Sequence, residues 1–372
     1  MTGVQTCALP ICFPVTITEV ATVLGWQVVI AKKDNFRIGD MIIYVEVDSV
    51  MPDKPEYEFL RSRKFRIRTI KLKGQVSQGL ILPLSTLPTF VKDSYKQIDQ
   101  DVTDLLGITK YLTPSEREEF TNQERLIKIE KNRLKKFMMR YSWFRRLFLS
   151  RTSKSGFPYW ISKTDEERIQ KIPHVLEQFK DKEVYITEKI DYQSGSWTCK
   201  MINNTTPIIG KLLPKKLLFV VCSRNMTNND KNSLYWKIAT KYNIEKILKE
   251  NPTLTIQGEQ GDTKVQGNKY GIKEPTMWVF NIIDHEKNYH YNYEEMLQFC
   301  NKYNLNIVPL INICKLSALG STVSELVDFS KGKSLINSKI HREGIVIRCI
   351  ENGKKLLSFK VINPDFLLKY ED

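Results

Sequence analysis

Short apolar runs separated by turn residues dominate residues 15–90. The runs EVATVLGWQVVIAKK, DMIIYVEVDSVMP and KFRIRTIKLKGQVSQGLILPLS are rich in Val and Ile and are interrupted by Gly, Asp and Pro. Val and Ile favour pleated strands, whereas the interrupting residues favour turns. Several short strands with frequent turns predict a small β-barrel in this part of the chain.

The third of these runs also carries a basic pattern. Arg66 and Arg68 share one face of the predicted strand, whereas Lys71 and Lys73 share the other. The change of phase predicts a bulge or bend between the two pairs. The four side chains are candidates for binding a nucleic-acid backbone, although an ordinary solvated basic strand has the same pattern.

A long helical pattern occupies residues 113–152. It begins with Ser, Thr and acidic residues, so that Thr113 or Ser115 is a candidate N-cap, and it becomes strongly basic towards its end. Aromatic residues alternate with Lys and Arg over residues 131–151. Such a helix can pack its rings on a neighbouring domain, hold nucleic acid or lie on a membrane surface.

Helices and strands are mixed from residue 154 onwards. The pattern predicts capped helices over residues 164–179, 292–304 and 322–332. Between them, LLFVVCSRN, LTIQGEQGD, TMWVFNIID, REGIVIRCI and KLLSFKVIN read as strands. Together with the barrel, this order predicts an α+β protein.

Composition narrows the class of protein. The chain has 372 residues and a formal net charge of +15, which favours a polyanionic partner, nucleic acid before membrane. Seven scattered Cys residues form no C-x-x-C pair, so we expect no zinc and reduced thiols, as in the cytoplasm. No apolar run is long enough to cross a bilayer.

The first residues are interpreted separately. The segment TGVQTCALPI, residues 2–11, reads as the translation of a sequencing adapter and lacks the basic start and apolar core of a secretory signal. We therefore expect residues 1–12 to be an artefact, and the native N-terminus to be missing.

The stretch YITEKIDYQSGSW places Lys189 and Asp191 on one face of a predicted strand. A partly desolvated lysine can lose its proton and attack phosphorus, although most Lys-x-Asp pairs are surface ion pairs. Later strands supply further candidates, namely Arg224, Glu259, Trp278, Phe280, Glu343 and Lys360. Cations for phosphate, carboxylates for Mg²⁺ and a ring for a base form a set suited to nucleotidyl transfer.

These segments, in this order, resemble the motifs of the covalent nucleotidyltransferases, which include polynucleotide ligases and mRNA capping enzymes. The matching motifs are TEKID, SRN, GEQGD, VFNI, EGIVIR and SFK. The barrel segments and FPYWISKTDEERIQ resemble the RNA ligases with an N-terminal OB-like domain, often called the Deinococcus type. The resemblance implies residues 13–112 as an OB-like β-barrel, 113–160 as a basic helical linker and 161–372 as a ligase-type nucleotidyltransferase domain of antiparallel sheets with flanking helices.

The resemblance also implies roles. Lys189 would carry AMP from ATP, with Mg²⁺ or Mn²⁺ at Glu343 and Asp191, and Lys360 would contact the α-phosphate. The adenosine would be held by Glu188, Arg224, Glu259 and Phe280. The expected substrate is a nicked duplex with an RNA 3′-hydroxyl strand, and the expected state is a monomer. A capping guanylyltransferase, a DNA ligase and a non-catalytic nucleic-acid-binding protein remain alternatives.

Two positions depart from the motifs. Tyr192 stands where the superfamily usually has glycine, which permits a turn that tyrosine disfavours. Ser358 stands where the last motif often has a first lysine, so that only Lys360 carries over.

Overall fold

The structure is a computed structural model of the whole chain. It describes residues 3–6, 18–88, 100–112, 117, 156–202 and 215–370. The basic aromatic pattern of residues 131–151, and the candidate caps Thr113 and Ser115, lie outside the described residues. The α+β class is confirmed, with short strands first and mixed strands and helices after them.

The N-terminal region consists of short, strongly turned strands. They are β1 (Gly3–Thr6), β2 (Thr18–Val23), β3 (Trp26–Ala31), β4 (Met41–Val45), β5 (Ser49–Val50), β6 (Thr69–Leu72), β7 (Gln75–Gln78), β8 (Leu80–Pro83) and β9 (Thr109–Lys110). Their pairings are β1–β4–β8, β2–β3, β5–β9 and β6–β7. Although β1 pairs with β4, the artefactual origin of residues 1–12 stays a prediction.

The C-terminal region contains two five-stranded sheets. Its strands are β10 (Glu167–Arg168), β11 (Glu183–Lys189), β12 (Gln193–Ile202), β13 (Lys216–Ser223), β14 (Leu254–Gly261), β15 (Thr276–Asp284), β16 (Tyr289–His290), β17 (Leu310–Lys315), β18 (Gly344–Glu351) and β19 (Lys354–Ile362). The first sheet has the order β10–β19–β18–β11–β17, and the second β13–β12–β14–β15–β16. All pairs within them are antiparallel except β10–β19.

Seven α-helices lie among the described residues. They are α1 (Thr103–Leu106), α2 (Val175–Gln178), α3 (Leu234–Lys241), α4 (Ile244–Glu250), α5 (Tyr293–Tyr303), α6 (Val323–Ser330) and α7 (Pro364–Tyr370). The predicted helices near 292–304 and 322–332 are confirmed, and Asn292 and Thr322 form capping boxes at their starts. None of the helices is long and apolar enough to cross a membrane.

The predicted helix over residues 164–179 is wrong. The segment instead forms β10, a 3₁₀ turn at Ile169–Lys171 and the short α2. Pro173 explains the break, because proline disfavours the helical conformation of the residue before it and cannot donate a helical hydrogen bond. The extended part contacts both sheets. The Ser162 carbonyl accepts a bond from Gln257 at 2.9 Å and Thr164 bonds Ser194 at 2.8 Å, both in the second sheet, and β10 pairs with β19 of the first.

Two hydrophobic cores support the two sheets. Beneath the second sheet, Trp197 and Ile256 are fully buried against α3, α4 and α5. Beneath the first, Phe359 and Ile347 are fully buried against α2 and α6. Burying one such side chain contributes roughly 1.5–3 kcal/mol, so each sheet has a firmly held outer face. The opposite faces carry polar side chains and meet at a cleft.

Candidate active site

The cleft between the two sheets has a volume of about 560 Å³. Its lining includes all eight residues that the sequence placed at a nucleotide site: Glu188, Lys189, Asp191, Arg224, Glu259, Phe280, Glu343 and Lys360. They come from β11, β14, β15 and β19 and from the turns that follow or precede strands. The fold therefore brings together side chains that lie up to 172 positions apart in the chain.

Lys189 is the last residue of β11. It faces Glu343, which directly precedes the neighbouring strand β18. Its Nζ lies 2.6 Å from both carboxylate oxygens of Glu343. Gly344, which follows Glu343, allows β19 to pass closely, because a Cβ there would lie 2.2 Å from the Val361 carbonyl oxygen. The tight strand contact thus fixes the carboxylate beside the amine.

The pairing affects the protonation of Lys189, whose amine must lose its proton to act as a nucleophile. Desolvation by burial lowers the pKa of Lys189, but the negative charges of Glu343 and its neighbours outweigh this effect, so the pKa is raised. The Glu343 carboxylate therefore favours the protonated amine, and a cation placed beside that carboxylate would weaken this preference.

Glu259 and Asp191 complete the acidic part of the cleft. A register shift between Gln257 and Gly258 on β14 precedes Glu259, whose Oε1 accepts a bond from the Tyr192 amide at 3.2 Å. Burial, more than any charge, raises the pKa of Glu259 to about 8. Asp191 is paired with Lys269 at 2.5 Å, a partner that the sequence did not suggest.

The acidic groups suit a hard divalent cation. No group of three or more candidate ligands is close enough to enclose a metal among the described residues. Mg²⁺, however, is usually held by one or two carboxylates together with substrate phosphates and water. Asp191 and Glu343 interact electrostatically and open into the cleft, so they fit such a site.

The other end of the cleft is cationic. Lys360 lies beside Arg168 in the β10–β19 pairing, and Arg224 lines the same end. Burial and then the charges of Lys189, Arg168 and Arg224 lower the pKa of Lys360 to about 8. This end is preorganised for a polyanion, which would remove the repulsion among the cations.

The aromatic candidates take different places. Phe280 lines the cleft, whereas Trp278 is buried and packs against Tyr192. The guanidinium of Arg348 donates to the carbonyl oxygen of Phe280 and, at 2.9 Å, to Glu166. Because both groups of this ion pair are almost fully enclosed, they hold the position of the Phe280 ring.

Glu188 is fully buried next to Lys189. Its Oε2 accepts a bond from the Leu335 amide at 2.7 Å, while its Oε1 has no hydrogen-bond partner among the described residues. Burial raises the pKa of the carboxyl group. An unsatisfied buried acceptor at the wall of a cleft can bind a donor on a ligand.

Both departures from the motifs are accommodated locally. Tyr192 does not adopt a positive φ, so its backbone is not strained. Its ring lies parallel to that of Trp278 at 6.1 Å and above Gly261, where a Cβ would approach the ring to 2.6 Å. Ser358 accepts a hydrogen bond from Arg348 at 3.1 Å, so a cation still adjoins that position.

The four candidate nucleic-acid residues separate into two pairs. Arg66 bonds Asp48 at 2.5 Å and lies 3.8 Å from the ring centre of Tyr111, so its guanidinium is already engaged. Arg68 is half-buried, whereas Lys71 and Lys73 are exposed. The bend predicted between the two pairs stays a prediction: Lys71 lies within β6, and the positive φ at Lys73 belongs to the turn between β6 and β7.

Sequence reasoning missed several residues of the cleft. Lys269, Arg168, Arg348 and the acidic pair Asp165 and Glu166 all contact or adjoin the predicted residues. The sequence QGNKYG around Lys269, with two glycines in six residues, was a detectable sign of an unusual loop. Asp165 and Glu166 were missed because their segment was wrongly predicted to be a helix.

The fold and the cleft define the class as a nucleotidyltransferase-type enzyme with an attached small β-barrel. Residues 8–84 match a family model described as an OB-fold domain, and residues 182–362 match the RNA ligase family model. Residues 182–362 therefore form an RNA ligase domain, and an OB-fold domain precedes it in the chain. Membership of the Deinococcus type stays a prediction.

Solved structures of a Naegleria gruberi RNA ligase are similar over the full chain. A variant without ligand has a TM-score of 0.73 and 26% identity, covering 100% of this chain and 98% of that one. A variant solved with AMP and Mn has a TM-score of 0.73 and 25% identity, covering 100% and 99%. The form with PPi has a TM-score of 0.72 and 26% identity, covering 100% and 98%. No curated protein sequence matches the chain.

Proposed function

We propose that the protein is an ATP-dependent RNA ligase that joins a 3′-hydroxyl to a 5′-phosphate end through a lysyl-N-AMP intermediate at Lys189. The observation that carries this proposal is the contact of the Lys189 amine with Glu343, at the acidic end of a cleft whose other end is cationic. Similar Naegleria structures were solved with ATP and Mn and with AMP and Mn.

The first step forms a P–N bond. The Lys189 amine loses its proton and attacks the α-phosphorus of ATP, and the bond from phosphorus to the pyrophosphate oxygen breaks. Glu343, at 2.6 Å, is placed to hold that proton. Lys360 and Arg168 would stabilise the negative charge on the phosphates and the leaving group.

The remaining steps use the same amine as the leaving group. An oxygen of the 5′-phosphate attacks the adenylyl phosphorus, and the P–N bond breaks. The 3′-hydroxyl then attacks the phosphorus of the activated 5′ end, and AMP leaves. Covalent catalysis replaces one difficult condensation by displacements that each have a good leaving group.

The other cleft residues would bind the adenosine. The free Oε1 of Glu188 would accept a hydrogen bond from the base, and Phe280 would stack on it. Glu259 and Arg224 would bind the sugar or the adjoining phosphate. Mg²⁺ or Mn²⁺ would be held by Asp191 and Glu343 and would supply positive charge at the phosphate oxygens.

The nucleic-acid substrate is proposed to be a nicked duplex with an RNA 3′-hydroxyl strand, as in RNA repair. The exposed Lys71 and Lys73 on the OB-fold domain would contact its backbone, and they are better placed than Arg66, whose guanidinium is engaged. Affinity for the duplex should therefore fall with increasing salt.

The test is adenylate formation followed by nick sealing. The protein is incubated with labelled ATP or GTP and Mg²⁺ or Mn²⁺, and then with nicked duplexes of RNA, DNA and mixed strands. We expect an ATP-specific adduct that Lys189→Ala abolishes, and sealing of nicks with an RNA 3′-hydroxyl. A GTP adduct would favour a capping enzyme, and duplex binding without any adduct would favour a non-catalytic binding protein.

A further inference from the structure

The loop formed by residues 266–271 contacts Asp191 and Tyr192, which lie just after the strand that carries Lys189. The Tyr270 hydroxyl accepts a hydrogen bond from the Asp191 amide at 2.9 Å, and Lys269 donates to the Asp191 carboxylate at 2.5 Å. Tyr270 is buried, and Lys269 is largely so. Both the backbone and the carboxylate of Asp191 are therefore held by this loop.

The same loop also holds Tyr192. Its hydroxyl donates to Asn268 at 3.1 Å, and its carbonyl oxygen accepts a bond from Gln266 at 3.3 Å. The backbone has positive φ at Gln266, Gly267 and Asn268. A conformation this constrained requires such contacts to maintain it, so the loop is a defined part of the cleft wall.

The C-terminal helix α7 encloses Lys269 from the other side. The Lys269 Nζ lies 5.0 Å from the ring centre of Phe366 and 5.5 Å from that of Tyr370. The two rings contact each other at 4.8 Å. A lysine between a carboxylate and two aromatic faces is restricted to one position, because each contact favours the ammonium there.

The charges of the acidic end depend on this lysine. Three carboxylates, Asp191, Glu259 and Glu343, influence one another and the single amine of Lys189. Lys269 is the cation that directly contacts Asp191 among the described residues. Without it, one carboxylate charge would have no direct ion-pair partner.

We propose that Lys269 is a positioning residue that holds the Asp191 carboxylate at the rim of the cleft and moderates its attraction for a divalent cation. The proposal rests on the proposed function for its effect on adenylation, but its effect on cation binding is independent of that function. Removing the ammonium takes away the ion-pair partner of the Asp191 carboxylate and leaves its side chain free to rotate. A cation should then bind more tightly, while the less ordered carboxylate should support the reaction less well.

The experiment compares Lys269→Met with Lys269→Arg. Mn²⁺ binding to the ATP-free protein is measured from the EPR signal of the free ion. We expect Lys269→Met to bind Mn²⁺ about tenfold more tightly, since a nearby unit charge acts strongly on a divalent ion. Lys269→Arg keeps the charge, so its Mn²⁺ affinity should lie within about threefold of that of the unaltered protein.

A second readout is the rate of lysyl-AMP formation at saturating Mn²⁺ and ATP. Lys269→Met should lower this rate about tenfold or more. It should also lower the Mn²⁺ concentration at which the variant reaches half of its own maximal rate. A merely structural role would weaken both quantities together. Melting temperatures of the variants identify any general loss of fold.

Tyr370→Leu provides a second test in case Lys269→Met does not fold. It removes one ring from Lys269 without deleting the charge, and should give a smaller shift of Mn²⁺ affinity in the same direction. If the folded variants bind Mn²⁺ as the unaltered protein does, the inference is overturned. If the unaltered protein forms no adenylate, the proposed function fails instead, and the Mn²⁺ titration still decides the role of Lys269.

Discussion

The two ends of the cleft differ in the sign of their excess charge. At the acidic end, Asp191, Glu259 and Glu343 surround Lys189, whose pKa is raised. At the cationic end, Lys360 lies among cations and burial lowers its pKa to about 8. Two lysines that line one cleft therefore respond in opposite directions to their surroundings.

The difference indicates what each end is suited to bind. The acidic end is stabilised when a cation binds, because the positive charge offsets the repulsion among its carboxylates. The cationic end is stabilised when an anion binds, because the anion offsets the repulsion among Lys360, Arg168 and Arg224. A nucleotide polyphosphate with its divalent cation satisfies both ends together.

Removing the central carboxylate should have the largest effect. Glu343→Gln keeps the size of the side chain but deletes the charge that contacts Lys189 and faces the proposed cation site. We expect lysyl-AMP formation to slow by about 100-fold or more, which corresponds to about 3 kcal/mol. The rate is followed with labelled ATP and Mn²⁺ by gel. Glu177→Gln, on an exposed pair with Lys180, is the control, and equal rates for both variants would show that the acidic end is not needed.

The cationic end should be sensitive to pH. Lys360 is charged below about pH 8 and neutral above it, so affinity for an ATP analogue with a methylene between the α- and β-phosphates should fall about tenfold from pH 7 to 9. Glu259, whose pKa is also about 8, gains negative charge over the same range and acts in the same direction. Calorimetry at fixed Mg²⁺ measures the affinity.

Two variants separate these contributions. Lys360→Met should bind more weakly at pH 7 and keep only the part of the pH dependence that is due to Glu259, whereas Glu259→Gln should keep the part due to Lys360. An unchanged pH profile in Lys360→Met would assign the titration to another group and weaken the contrast between the two ends.

Sequence reasoning identified residues at both ends of the cleft but missed side chains that hold them in place. Lys189, Glu343 and Lys360 were found because strand alternation and motif order are local properties, and alternation placed Lys360 opposite the buried Phe359. Lys269 and Arg348 were missed because their partners are 78 and 182 residues away. Such pairs arise from the packing of distant segments, which no local pattern records.

The departure at Tyr192 is a similar case. Sequence reasoning expected a local backbone change because glycine permits conformations that tyrosine avoids. The structure instead accommodates the ring above Gly261 and beside Trp278, two positions far along the chain. The compensating residues could be identified only once β14 and β15 were placed next to the loop after β11.

The wall of the acidic end should show coupling between Tyr192 and Gly261. Gly261→Ala places a methyl group 2.6 Å from the Tyr192 ring, so we expect a loss of about 1–3 kcal/mol in the free energy of unfolding. The same change in a Tyr192→Gly background should cost less than half as much, because the ring is gone. Denaturant unfolding of the four proteins gives the coupling energy, and additive effects would mean that the ring and Gly261 do not share this space.

The smallest expected effect is on the affinity for the ATP analogue when Asp165, at the cationic end, is changed. Asp165 forms an ion pair with Arg224, and both side chains are about half exposed, so the pair itself contributes about 1 kcal/mol or less. Asp165→Asn should release Arg224 towards a bound polyphosphate and remove a nearby negative charge. We expect the methylene analogue of ATP to bind about twofold to fivefold more tightly, measured by calorimetry at pH 7 and low salt.

Glu177→Gln is again the matched control, because it also deletes an exposed carboxylate and changes the net charge equally. Its affinity for the analogue should stay within error of the unaltered protein. The gain in Asp165→Asn should also shrink at high salt, since exposed charges are screened over about 10 Å at 0.1 M. Weaker binding by Asp165→Asn would instead mean that the ion pair holds Arg224 in its binding position, so that the carboxylate belongs functionally to the cationic end.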